Sequence, residues 1–398
     1  LIPEKLFARV VAVSRSEDSI GHFVDFTCEM KAEGRPASVY GSLPQAVTGQ
    51  AGTGCALGGL GGYNHQGFRV ALRYLPTENL EVNLNGYYYR QNDEPPLNTL
   101  LSPYGGPHDT INNFYSQGAI FPKYGMNYSG NCGGQSCNPY FVSPSRWDNY
   151  ASFGDVTTGV RDSTQQTLNE YGTSATADYS FTDHLHLKYI WAYRTYSTNW
   201  ANDSDMTPFA LIQGLSEQTH RQFTNELRLT GDALSSRLDY TLGFFSYDAR
   251  ESEYTDSQFD AYSYPIPPIF PNGLLPSFQN FQGFSTNNES GFVHLNFKLT
   301  DKWSVSGGWR YSDQYLTEKY NHVSTVPVDS IALPGPAVES GTRNDWSGSI
   351  NYQITPTLFA YAEAASGGTL PGFNSRIETI GQLQAVALGQ EAVNYELG

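Results

Sequence analysis

Apolar and polar residues alternate one by one through much of this chain, most clearly in a hairpin from Phe292 to Tyr315. Val293, Leu295 and Phe297 alternate with His294, Asn296 and Lys298, and a polar turn, Thr300-Asp301-Lys302, reverses the chain. Trp303, Val305, Trp309 and Tyr311 then fall on one face, with Ser304, Ser306, Arg310 and Ser312 on the other. A period of two describes an extended strand with chemically different faces, one suited to hydrocarbon and one to water.

The unit recurs. The pattern predicts about twelve strands, at 6–13, 67–75, from 80, 167–181, 185–199, 219–230, from 238, the hairpin pair, around 350–354, 358–366 and from 393. Short turns fall at 76–79, 182–184, 231–236, 300–302 and 355–357, and long loops fall between them, the longest at 91–165 and another at 253–287. Strict alternation of short and long connections marks a transmembrane barrel with periplasmic turns and extracellular loops. A soluble sandwich or propeller has no reason to keep it. The expected fold is all-β, an antiparallel transmembrane β-barrel domain covering 1–398.

Composition agrees with this reading. Only 16% of residues are charged, while there are 28 Tyr and 39 Gly. No run of about 20 apolar residues occurs, which excludes a helical membrane protein. The formal charge of −16 argues against a nucleic-acid partner. The four cysteines form two local sets in loop sequence, suggesting disulfides Cys28–Cys55 and Cys132–Cys137 in an oxidising compartment.

No catalytic constellation or cofactor motif emerges, and the chain is read as no enzyme. His184 and His186 flank a turn without a convergent third ligand. Asp203 and Asp205 lack the further oxygens of a calcium loop and read as a solvated loop. Gly58 to Gly62 lies outside any strand-then-helix context for phosphate. More informative are charges opposite the apolar faces: Glu81, Lys188, Arg194, Glu226, Arg228 and Arg310 point into the expected lumen. In the long loop, Tyr104, His108, Tyr115, Tyr124, Tyr128, Tyr140, Arg146 and Trp147 are candidate ligand contacts, since aromatics and Arg make good anchors. The alternative is that they pack the loop on itself.

Four segments resemble one family. Leu358 to Ser366, leading through Gly367-Gly368 to Pro371-Gly372-Phe373-Asn374, is similar to a strand followed by a "PGGFN" segment of TonB-dependent outer-membrane receptors, especially those of sphingomonad-like bacteria. Asn394-Tyr395-Glu396-Leu397-Gly398, Asn225-Glu226-Leu227-Arg228-Leu229 and Gly308-Trp309-Arg310-Tyr311 resemble the family's "NYELG", "QELRL" and "GLRY" segments, in the family's order. The resemblance implies a barrel of 22 strands with a plugged lumen. About twelve are counted here, so the expectation is the middle portion of such a barrel, without the plug domain and terminal strands; a closed twelve-stranded barrel is the alternative. It further implies outer-membrane lipid, the TonB protein acting through a plug, and a scarce small solute as partners, the commonest being a ferric siderophore. Cobalamin, an oligosaccharide or an aromatic compound are other solutes. The competing functions are a passive porin and a structural barrel.

Overall fold

A computed structural model of the chain describes residues 2–43, 54–102, 121–126, 130–132, 135–150, 154–155, 160–161, 166–204, 206–209, 213–258, 278–324, 331–332, 335–373 and 389–398. Its frame is twelve long strands: β1 (Leu6–Glu17), β2 (Tyr63–Thr77), β3 (Leu80–Asp93), β4 (Gln166–Thr182), β5 (Leu185–Asp203) and β6 (Gln213–Ala233). The second half comprises β7 (Leu238–Gln258), β8 (Phe278–Lys298), β9 (Trp303–Ser324), β10 (Ala337–Thr355), β11 (Leu358–Thr369) and β12 (Gln390–Leu397). They hydrogen-bond in sequence order into one sheet, and the two-residue strand Ile331–Ala332 beside β9 makes it thirteen-stranded. Every neighbouring pair is antiparallel, with β1 and β12 at the two edges.

The alternating face predicted from sequence is the exposed apolar face. Trp303, Trp309, Tyr311, Leu242, Phe244 and Leu295 are all exposed. Aromatic pairs flank this band: Trp303 stacks on Tyr352 at 4.3 Å, and Tyr193 meets Phe223 at 4.6 Å. On β4 the exposed rings of Tyr171 and Tyr179 mark its two borders, roughly 26 Å apart along a tilted strand. At the usual tilt of about 40° this rises about 20 Å through the membrane, most of an apolar band about 25 Å tall between aromatic girdles.

The strands run longer than the pattern foretold. Strand 219–230 is observed as Gln213–Ala233, and the loop expected at 253–287 is narrowed by strand residues to Gln258 and from Phe278. Crossing the membrane requires about 9–11 residues, whereas β6, β7 and β8 have 21 each. The excess projects beyond the apolar band. There lipid no longer demands an apolar outer face, the ladder persists, and the alternation that announces a strand disappears.

The long connections are not wholly irregular. After β1 the chain forms a short strand, Gly21–Val24, then helices α1 (Phe26–Ala32) and α2 (Ala37–Tyr40), then the strand Ala56–Leu60. Asp25 caps α1, its carboxylate accepting the Cys28 amide at 2.7 Å. Among the described residues no helix is long and apolar enough to cross a membrane, which has no bearing on crossing by strands.

Candidate functional site

Two regions carry the functional candidates: the face of the wall opposite the aromatics, and a cap built from the long connections.

On the wall, all six charges singled out from sequence lie on the polar face, and strand register places four of its charges in one row. Glu81, Asp178, Lys188 and Arg228 follow one another across β3, β4, β5 and β6. Glu81 accepts from Arg73 at 2.6 Å and from Asn83 at 2.8 Å, and Lys188 pairs with Asp178 at 3.2 Å. Higher up, Arg194 holds Glu170 through Nε at 2.9 Å and Nη2 at 3.1 Å, a two-point contact, while the Tyr87 hydroxyl donates to the same carboxylate at 2.5 Å. Arg228 folds back onto Glu226, two residues away on its own strand. Arg310 donates to Ser290 at 2.8 Å and lies 5.7 Å and 5.9 Å from the ring centres of Phe245 and Phe292. Glu226, Arg228, Arg310, Phe245, Phe292 and Asp345 line an open depression of about 500 Å³.

Sequence reading found one partner of most pairs and missed the other. Arg73, Glu170 and Asp178 became recognisable only through register, and Arg343 with Asp345, two apart on one strand, was missed altogether. Phe245 and Phe292 were missed because they are apolar on the polar face. They sit there as platforms for the Arg310 guanidinium.

The cap has a core of its own. Phe26 and Met30 of α1, Val39 of α2, Phe121, Tyr124, Phe141, Tyr150 and Phe209 form one buried cluster. Phe141 meets Phe26 and Phe209 edge-on, at 5.2 Å in each case. Three separate connections therefore contribute: the one after β1, the one after β3 and the one after β5. Cys28 and Cys55 are joined, spanning 27 residues, as the sequence suggested. Cys132 and Cys137 belong to a small backbone hairpin, Gly130–Cys132 against Gln135–Cys137, whose side chains lie outside the described residues.

The loop candidates separate in this frame. Tyr124 is buried and stacks on Phe209 at 5.8 Å, so it packs the cap on itself. The Tyr140 ring carries the Arg35 guanidinium at 4.7 Å. Arg146 and Trp147 are exposed, Trp147 with 52% of its surface free. Tyr104, His108, Tyr115 and Tyr128 lie outside the described residues. Asp203 corrects the solvated-loop reading: it is buried at the end of β5, and its carboxylate accepts the Met206 amide at 2.8 Å, which closes the turn; Asp205 lies outside the described residues. His184 pairs with Asp232 at 2.8 Å and His186 with Ser180 at 2.9 Å. Among the described residues no group of three or more His, Cys, Asp or Glu is arranged to hold a metal.

Comparison with known proteins matches this architecture. The profile of the family described as "TonB dependent receptor-like, beta-barrel" matches residues 67–398. Three solved structures align over the whole chain: the ferric yersiniabactin uptake receptor FyuA from Yersinia pestis (TM-score 0.64, 14% identity, 48% of that chain), the siderophore receptor PiuA from Acinetobacter baumannii (0.57, 13%, 51%) and the ferric-catecholate import receptor Fiu from E. coli K12 (0.57, 11%, 52%). At such identities the likeness is one of fold, and the chain spans about half the length of these receptors. A search of curated proteins found no match. With the profile covering most of the chain and the strand order, apolar band and long-loop cap all in agreement, this chain belongs to the β-barrel family of TonB-dependent receptors, proteins of the Gram-negative outer membrane.

Proposed function

We propose that the protein is an outer-membrane receptor for TonB-dependent active uptake of a scarce solute, and that the solute is a ferric siderophore. The carrying observation is the inward wall: paired charges from Glu81 to Arg343 line one face of a sheet whose other face is aromatic and apolar. Such a wall suits a lumen filled by a plug, which needs many hydrogen-bonding partners and a dry lipid-facing exterior. The solute binds on the extracellular side, where exposed Arg146 and Trp147 of the cap are candidate contacts. Glu81, Lys188, Arg194, Glu226, Arg228 and Arg310 face the lumen and hold the plug. TonB, pulling on that plug from the periplasm, supplies the energy, and no covalent chemistry is required. The structural neighbours include uptake receptors for ferric yersiniabactin and ferric catecholates, which supports the choice of iron chelates.

Uptake of radiolabelled ferric chelates by cells expressing the full-length protein, with and without functional TonB, tests the reading. Uptake that stops without TonB carries it. Uptake that persists, together with a large open conductance in planar bilayers, would replace it with a passive pore.

A further inference from the structure

Above the apolar band the inward face of the wall changes character. Register sets His220, Glu251, Phe284 and Glu318 side by side on β6, β7, β8 and β9. The next row outward holds Gln218, Glu253, Gln282 and Tyr320, and Glu339 of β10 lies opposite Leu316 one step below. These positions share the face of Glu226, Phe245, Phe292, Arg310 and Asp345 on their strands, because each is an even number of residues away. Glu318 is 15 positions beyond Trp303 on a strand of 22 residues, past the length a membrane crossing uses.

Among the described residues, the inward positions of β7 to β10 beyond Arg310 hold the carboxylates Glu251, Glu253, Glu318 and Glu339. Their one cation is Arg343, which Asp345 engages at 2.7 Å. Glu251 is partly satisfied, accepting from Gln218 at 2.7 Å and facing His220 at 3.3 Å. Glu318 is not: it is 0% exposed and neither carboxylate oxygen has a hydrogen-bond partner. A buried acceptor without a donor is unfavourable, and burial pushes this carboxyl up to about 7. What is missing from the site is a source of N–H donors or positive charge.

We infer that the extracellular end of the inward face selects a cationic or neutral ferric chelate rich in N–H donors, and turns away polyanionic ones; this rests on the iron-uptake reading above. Like charges brought together at an interface are strongly disfavoured. A ferric tris-catecholate, which carries several negative charges, therefore meets repulsion here. A ferric tris-hydroxamate bearing a free ammonium group meets acceptors.

Competition binding to the full-length receptor in detergent tests this. The probes are a ferric tris-hydroxamate with a free ammonium group, its N-acetylated neutral counterpart, and a ferric tris-catecholate. The ammonium-bearing chelate binds about tenfold more tightly than the acetylated one, and the tris-catecholate is the weakest of the three. Glu318→Gln keeps the side-chain volume and removes the ionisable carboxyl; it brings the first ratio to within roughly twofold, chiefly by weakening the ammonium-bearing chelate. Glu253→Gln, at a half-buried position, shifts the ratio in the same direction. A tris-catecholate that binds most tightly, or a ratio unchanged in both variants, overturns the charge preference and leaves iron uptake standing. Failure of every ferric chelate to bind overturns both.

Discussion

The wall and the cap use hydrophobic residues in opposite ways. Across the wall, Phe68, Leu84, Tyr171, Leu227, Phe244, Trp309 and Ile350 are exposed, and charged groups are paired on the other face. In the cap, Phe26, Met30, Phe121, Phe141 and Phe209 are buried beneath a polar surface, as in a soluble domain. One chain thus obeys two solvents. Where lipid surrounds it, the backbone must be closed by strand pairing, and apolar side chains gain nothing by turning inward. Where water surrounds it, apolar side chains must find one another, and segments from three connections converge to supply enough of them.

That contrast can be broken experimentally. The largest effect is expected from Phe141→Ala, which empties the centre of the cap core and costs about 3–5 kcal/mol. Hydrogen exchange should show faster exchange of the cap amides His22 and Asp25, which bond to Trp147 and Cys55, while the β6–β7 ladder keeps its protection. Joint loss of protection in both would mean that wall and cap are one cooperative unit.

Opening the Cys28–Cys55 bond by Cys28→Ser with Cys55→Ser releases a constraint over 27 residues, worth about 3.5 kcal/mol in the chain-entropy account. Limited proteolysis should then cut within 29–54 much faster, with no change in folding of the wall on heat-modifiability gels.

On the wall, Leu242 is exposed on β7 between Leu229 and Val293 of the neighbouring strands. Leu242→Arg should lower stability in lipid vesicles by about 2–4 kcal/mol. Val305→Arg, two residues from the Trp303 girdle, should cost only about 0–1 kcal/mol. Reversible urea titrations give both values, and equal costs would contradict the depth assigned to these positions.

The smallest effect lies at the turn between β4 and β5. His184 has its imidazolium favoured by the hydrogen bond to Asp232 and then by that residue's charge, so its pKa is raised above the usual 6.5. A raised value means the contact contributes fully below the usual value and is lost as pH rises through the folded one. NMR titration of the His184 ring should show the raised midpoint, and Asp232→Asn should return it toward 6.5.

Legibility followed the same division between solvents. In the membrane-crossing half of β9 alternation was enough to assign Trp303, Trp309 and Arg310 to their faces. Beyond it, Glu318 and Tyr320 sit on a strand with no apolar partner face to betray it, so nothing local distinguishes them from a loop. Glu170 and Asp178 were invisible as partners of Arg194 and Lys188 because pairing depends on register between strands, which a single strand does not encode. The two helices had one local sign, the acidic cap at Asp25, inside a stretch otherwise dominated by Gly and polar residues. Phe141 and Phe209 are 68 positions apart along the sequence, and no periodicity links them.

The sequence by itself determined the class of wall and which side chains meet lipid, because a period of two against an apolar solvent is a local property of each strand. The tertiary structure alone decided the rest. It matched each wall charge to its partner, gathered three connections around one core, and left Glu318 buried without a donor. Those outcomes depend on which segments come together in space, and that is settled by register and by packing between distant parts of the chain.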